Sequence, residues 1–216
     1  MGTYNTNRKE DTRLEKLVNE YLDKKLFNRE DSFFKKVKWV DDPDLQISGV
    51  DIILDAPDLG IENGLVDIKS AVKYSNKYLG TYALECSFIG KNGLEKVGWL
   101  IDKTKTTQYY LLLYPRSQKY YTDMQTPDDI DYIEYYLVDR NKILNYLSSR
   151  GYDKQRIMET VCDMRRDFIP GDKGLNEDST DPAFRFYLTG TLAEQPVNVV
   201  ISRSVYDKIS ILHDKI

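Results

Sequence analysis

The sequence predicts an α/β chain, with a sheet of five or six strands and helices before and after it. The chain opens on an amphipathic pattern, Leu14, Leu17, Val18, Tyr21 and Leu22 recurring at spacings of three and four. Short runs rich in β-branched and aromatic residues then follow one another from "FFKKVKWV" to "TQYYLLLY". Beyond Pro115 helical periodicity returns, and 216 residues at 41% hydrophobic composition suffice for a substantial core.

Taken in order, "DTRLEKLVNEYLDKKLF" reads as a helix with Asp11 or Thr12 as its cap, and Lys25 or Leu26 continues its face. "FFKKVKWV" suggests a first strand and "DDPDL" a turn. "QISGVDIILDA" reads as a second strand, with Val50, Ile52 and Leu54 opposite Asp51, Ile53 and Asp55. "PDLGIENG" closes a hairpin into a third strand, "GLVDIKSA". "TYALECSFI" and "KVGWLID" are strand-like and joined by the turn signal "GKNG", and "TQYYLLLY" follows. "DYIEYYLVD" is another strand. "RNKILNYLSSRG" and "DKQRIMETVCDMRRDF" are helices, "PGDKGLNEDSTDP" is a polar loop, and "FRFYLTGTL" precedes a terminal strand and closing helix. No internal repeat or low-complexity tract interrupts this order.

Composition removes several classes of chemistry. No run approaches the roughly 18 apolar residues of a membrane span, and "MGTYNTNRKEDTR" has no apolar secretion signal, so a cytoplasmic location is expected. Cys86 and Cys162 lack metal-ligand spacing and are expected to be reduced, packed thiols. One histidine, His213, removes most zinc sites and the nucleophile pairs that depend on an imidazole base. Chemistry must then rest on carboxylates, lysine, tyrosine and a hard cation with oxygen ligands. The net charge is −4, but it is unevenly spread. From Leu65 to Thr122 nine Lys/Arg face four acids, and from Asp123 to Ala183 fourteen acids face eight bases, so a local basic surface is possible on an acidic protein.

The third strand poses the sharpest question. In "GLVDIKSA" alternation puts Leu65, Asp67, Lys69 and Ala71 on one face. A buried unpaired charge is expensive, so Asp67 and Lys69 either sit at an open edge of the core or serve something that needs both.

A helix bearing a glutamate, then "GVDIIL", then "LVDIKSA" resembles, over roughly residues 10–115, the PD-(D/E)XK nuclease superfamily with its restriction-endonuclease-like fold. The resemblance implies a mixed central β-sheet flanked by helices, here a single domain 1–216 with core 10–115 and a C-terminal α+β extension 116–216. It also implies a site made of Glu15, Asp51, Asp67 and Lys69. Asp51 and Asp67 would hold Mg²⁺, for which Mn²⁺ substitutes, aided by the carbonyl of Ile68. Lys69 would orient or help deprotonate the attacking water, and Glu15 would join from the helix as a metal ligand, directly or through water. Glu20 is the rival to Glu15. The implied activity is a metal-dependent deoxyribonuclease of bacterial or phage type, with DNA as partner and a homodimer if two sites act on one duplex.

The sequence departs from the pattern in places. Gly49-Val50 stands where the family name expects proline, and Asp67 replaces the more frequent glutamate. Ser75 to Asp102, where the family has a helix, looks strand-rich; were "KYLGTYALECSF" helical, Glu85 would lie near the site. Gln46 is a further candidate for contacting phosphate or water. "VKYSNKYLGTY" interleaves Lys73 and Lys77 with Tyr74, Tyr78 and Tyr82, a composition suited either to gripping a nucleic acid or to simple packing. The tyrosine doublets 109–110, 120–121 and 135–136 read as strand residues with one ring in and one out. Two other functional classes stay open: a non-catalytic DNA-binding or interaction module of the same fold, and an unrelated α+β protein in which Asp67 and Lys69 form a surface pair.

Overall fold

A computed structural model describes residues 3–216, with side chains from Lys9 onward. In chain order the elements are α1 (Thr3–Leu22), β1 (Lys36–Trp39), α2 (Pro43–Ile47), β2 (Ile52–Ala56), β3 (Ile61–Ser70), β4 (Thr81–Ile89), β5 (Glu95–Val97), β6 (Tyr109–Arg116) and β7 (Tyr132–Asp139), followed by α3 (Arg140–Ser148), α4 (Lys154–Asp167), β8 (Gly174–Asp178), β9 (Phe184–Thr189), β10 (Val197–Ser202), α5 (Arg203–Ile209) and β11 (Leu212–Lys215). The chain is thus mixed α/β. Its strands form two sheets, ordered β1-β2-β3-β6-β7-β11 and β5-β4-β10-β9-β8.

Two compact, interleaved units result. The first comprises residues 1–79, 107–138 and 210–216, and the second residues 80–106 and 139–209. In the first unit β1, β2 and β3 pair antiparallel and β3 pairs parallel with β6, so this sheet is mixed. Helix α1 lays Leu14, Leu17, Val18, Tyr21 and Leu22 against Ile52, Leu54, Val66, Leu111 and Leu113. This is the apolar stripe read from the sequence, buried as an amphipathic helix requires.

The helix begins at Thr3, well before Asp11 and Thr12, because no Gly or Pro interrupts the chain from there to Leu22. At its end a π-turn over Asp23–Phe27 swings Leu26 and Phe27 inward and leaves Lys25 exposed. The expected turn at "DDPDL" is α2, its first amides capped by the Asp42 carboxylate with Pro43 in the first turn. Gly49, at φ 87°, ends that segment in a left-handed conformation that a side chain would resist, and its carbonyl accepts from Thr107 Oγ1 at 2.5 Å. "PDLGIENG" begins as a 3-10 turn, and β3 already starts within it, at Ile61.

The second unit is an antiparallel sheet with α3, α4 and α5. β4 and β5 form the hairpin expected at "GKNG", so the segment around Glu85 is strand rather than helix, and Glu85 belongs to this unit. The connection between the parallel strands β3 and β6 therefore runs through this hairpin, where the resemblance implies a helix. The "polar loop" contains β8, which pairs with β9 because its backbone, whatever its polarity, finds ladder partners at the sheet edge. A strand, β11, follows the closing helix α5 and pairs with β7 in the first sheet.

Cys86 is buried and Cys162 exposed, both as free thiols, so only the first is a packed thiol as expected. Burial pushes the Cys86 thiol up to about 12. Tyr135 and Tyr136 are both buried, because both faces of β7 are covered. No helix among the described residues is long and apolar enough to cross a membrane.

Candidate active site

The residues singled out in "GVDIIL" and "LVDIKSA" meet where β2 and β3 part. Asp51 precedes β2 by one residue, its backbone fixed on both sides: its amide donates to Val66 O and its carbonyl accepts from Val40 N, each at 2.9 Å. Beyond Val66 the backbone ladder between β2 and β3 ends, and the Asp51 side chain takes over. Its Oδ2 accepts from the Ile68 amide at 2.7 Å. A strand residue's N–H and C=O point to the same side, so the Ile68 carbonyl faces this same gap.

Asp67 lies on the face of β3 opposite Val66 and Ile68, in register with Tyr110 of β6. Only 3% of its side chain is exposed, and Lys69 Nζ, one strand step away on that face, sits 2.8 Å from its Oδ1. Its other oxygen, Oδ2, is buried and meets no donor. Burial pushes the carboxyl up to about 7; Lys69 pulls it down and the neighbouring Asp51 carboxylate raises it further.

Glu15 comes from α1, one residue past the buried Leu14. Burial raises its carboxyl above the ordinary value; Asp51 and Asp11 push the same way, and Lys69 opposes them. Four sequence-selected residues thus share one electrostatic neighbourhood, in which Asp51 touches both the Asp67 and Glu15 fields. Glu20, exposed like Glu15, pairs with Lys16 at 3.8 Å and is not among the groups that perturb Asp67 or Glu15.

Beside the cluster is a cleft of about 500 Å³. It includes Glu15 and Asp51 in its wall, but not Asp67 or Lys69, which lie on the other face of β3. Gln46, expected just before a strand, is carried by α2 instead, because the Asp42 cap and Pro43 favour a helical turn; its Nε2 donates to Val40 O at 2.8 Å and the residue lines the cleft. Asn19, Trp39, Ser70 and Tyr74 line it too, and none was singled out as part of the site except Tyr74 as a grip residue. Asn19 carried a usable signal, lying four residues after Glu15 on the same helix face. Trp39 carried none, since its place depends on the tertiary packing of β1.

Among the described residues no group of three or more His, Cys, Asp or Glu side chains is assembled as a metal site. The donor set is smaller: the two carboxylates of Asp51 and Asp67, from adjacent strands. The buried Oδ2 of Asp67, which meets no donor, is the feature that fits a cation, since a carboxyl removed from water is compensated either by a proton, as its raised pKa indicates, or by a bound positive charge. Oxygen donors of this kind suit Mg²⁺ or Mn²⁺. No family model matches the sequence, and neither the curated proteins nor the solved structures give a significant match.

Proposed function

We propose that this protein is a metal-dependent nuclease that hydrolyses phosphodiester bonds of DNA, with a restriction-endonuclease-like core in its first unit. The observation that carries the reading is the meeting of Asp51, Asp67 and Lys69 at the parting of two adjacent strands, with a buried carboxylate oxygen left without a donor. A mixed sheet with α1 packed on it, and Glu15 brought to the same end, supports it further.

Asp51 and Asp67 would hold the ion, with the Ile68 carbonyl beside them. Bound there, a divalent cation supplies a water activated near neutral pH and charge compensation on the phosphate. Lys69 places a positive charge beside Asp67, where it steadies the water and the negative charge that grows on the phosphate during attack. Its contact also keeps Asp67 ionised to a lower pH than burial alone would allow. Glu15, whose proton affinity is raised, is suited to accept a proton from water held at this end of the sheet.

The test is cleavage of labelled DNA by Asp67→Asn and Lys69→Met proteins whose melting shows an intact fold. The proposal expects each to lose about 100-fold or more of the rate. Full activity in both would end it. A non-catalytic module would instead bind DNA without cutting it under any metal.

A further inference from the structure

The cleft beside the carboxylates has a wall unlike a site that handles phosphate alone. Leu14, Val18, Val40 and Val72 make it apolar, Trp39 adds an indole, and Asn19, Gln46 and Ser70 contribute polar edges. Trp39 is fixed in place: its Nε1 donates to Asp23 Oδ1 at 2.9 Å, and its ring meets Phe27 edge-on at 6.0 Å.

At the rim stands Tyr74, 49% exposed. It is carried on the turn that follows β3, and that turn is pinned along its length. Ala71 N donates to Leu113 O at 3.0 Å, Tyr74 N to Ala71 O at 2.9 Å, and Ser117 N to Ser75 O at 3.0 Å, while Val72 and Ser75 are buried on either side. An exposed aromatic ring on so well anchored a backbone is presented rather than left over, because ordering its surroundings has already been accomplished by folding. Lys77 Nζ lies 5.0 Å from the Tyr74 ring centroid, and Lys73 forms an ion pair with Asp11 at the mouth of the cleft. Farther along, Tyr78 is 72% exposed, whereas Tyr82 is buried in β4. Of the two readings open to "VKYSNKYLGTY", packing therefore accounts for Tyr82 and not for Tyr74.

Resting on the nuclease reading, we infer that this cleft receives an unstacked nucleotide, and that the substrate is single-stranded DNA or a frayed end rather than an intact duplex. The base enters between the apolar wall and Tyr74, its polar edge reaching Asn19 and Gln46, and its phosphate lies toward Asp51 and Glu15, which belong to both cleft and catalytic cluster. A base within a duplex is stacked on both faces and cannot enter. Tyr74 supplies the stacking surface, and Lys77 beside it the positive charge, that single strands require.

The experiment measures binding of a fluorescent single-stranded oligonucleotide and of the duplex of the same sequence, in Ca²⁺, to wild type, Tyr74→Ala and Tyr74→Phe, with cleavage followed separately in Mg²⁺. Single strand is expected to bind about tenfold or more tighter than duplex. Loss of one stacked base weakens single-strand binding about 5- to 150-fold in Tyr74→Ala, while Tyr74→Phe, which keeps the ring, stays within about twofold. Equal affinity for single strand and duplex, or an unchanged Tyr74→Ala protein, overturns the inference even if DNA is cut. Tyr74-dependent single-strand binding without cleavage in any metal upholds the base site and overturns the nuclease reading. Failure to bind any DNA overturns both.

Discussion

Asp51 Oδ2 accepts the backbone amide of Ile68 at 2.7 Å, so a side chain completes the ladder of β3 at the point where β2 has no more backbone to offer. The contact fixes the separation of the two strands there and holds Asp51 against the Asp67 carboxylate that it perturbs.

Asp51 therefore has a structural part and, on the nuclease proposal, a chemical one, and substitution can separate the two. Asp51→Asn keeps an oxygen able to accept from Ile68 and removes the charge. Its melting temperature should stay near that of wild type while DNA cleavage falls about 100-fold or more. Asp51→Ala leaves the Ile68 amide without its partner and should in addition lose about 1–3 kcal/mol of stability in urea denaturation.

Asp67 predicts a pH dependence with a definite sign. Its carboxyl is raised from 3.8 to about 7 by burial, with Lys69 opposing and Asp51 assisting. The folded protein then holds a proton that the unfolded chain has released between about pH 4 and 7. The stability contributed by this group is fully present below the unfolded value and is lost as pH rises through about 7. Asp67→Asn should remove that loss. The difference between variant and wild type in urea denaturation should grow across this window by at most about 1.4 kcal/mol per pH unit. A difference independent of pH would contradict the assignment.

Metal should act as the counterpart of that proton. Mn²⁺ or Mg²⁺ at about 100 times its dissociation constant should stabilise the protein by about 2.7 kcal/mol, read as a rise in melting temperature. At one fixed metal concentration the rise should be larger at pH 8 than at pH 6, because the Asp67 proton competes with the ion. It should vanish in Asp51→Asn and Asp67→Asn.

The second unit offers a stability prediction independent of the site. Arg140, buried at the start of α3, donates to three backbone carbonyls: Leu100 at 2.9 Å, Asp102 at 2.6 Å and Lys105 at 3.1 Å. Arg140→Ala strands all three acceptors and should cost about 3 kcal/mol or more. Arg140→Lys should rescue little, since an ammonium lacks the planar fork that reaches three acceptors at once. Urea denaturation of both variants checks this.

Local signals explain what the sequence revealed. The α1 stripe, the alternation in "GVDIIL" and "LVDIKSA", and the "GKNG" hairpin are properties of neighbouring residues, and each appears in the structure at its place. The elements that carry Asp51, Asp67, Lys69 and Glu15 were legible from local pattern, but that these four would lie together was implied by the family resemblance alone. The division of the strands between two sheets was not, since pairing β4 with β10 across more than a hundred residues leaves no local trace. The strands β8 and β11 escaped for a related reason: both are short edge strands whose residues read as a polar loop and as the end of the closing helix. The cleft was hidden because Trp39, Asn19 and Tyr74 come from separate elements; Tyr74 carried a cue of composition and Asn19 one of helical spacing, and Trp39 carried none.

The central claim is hydrolysis at the Asp51–Asp67 pair, and the most direct measurement is the rate of DNA cleavage by wild type and Asp67→Ala, side by side, in Mg²⁺, Mn²⁺ and EDTA. The account predicts cleavage by wild type in either metal, none in EDTA, and none by Asp67→Ala in any condition. Cleavage that persists in EDTA or in Asp67→Ala, or no cleavage of single- or double-stranded DNA by wild type in either metal, would contradict it.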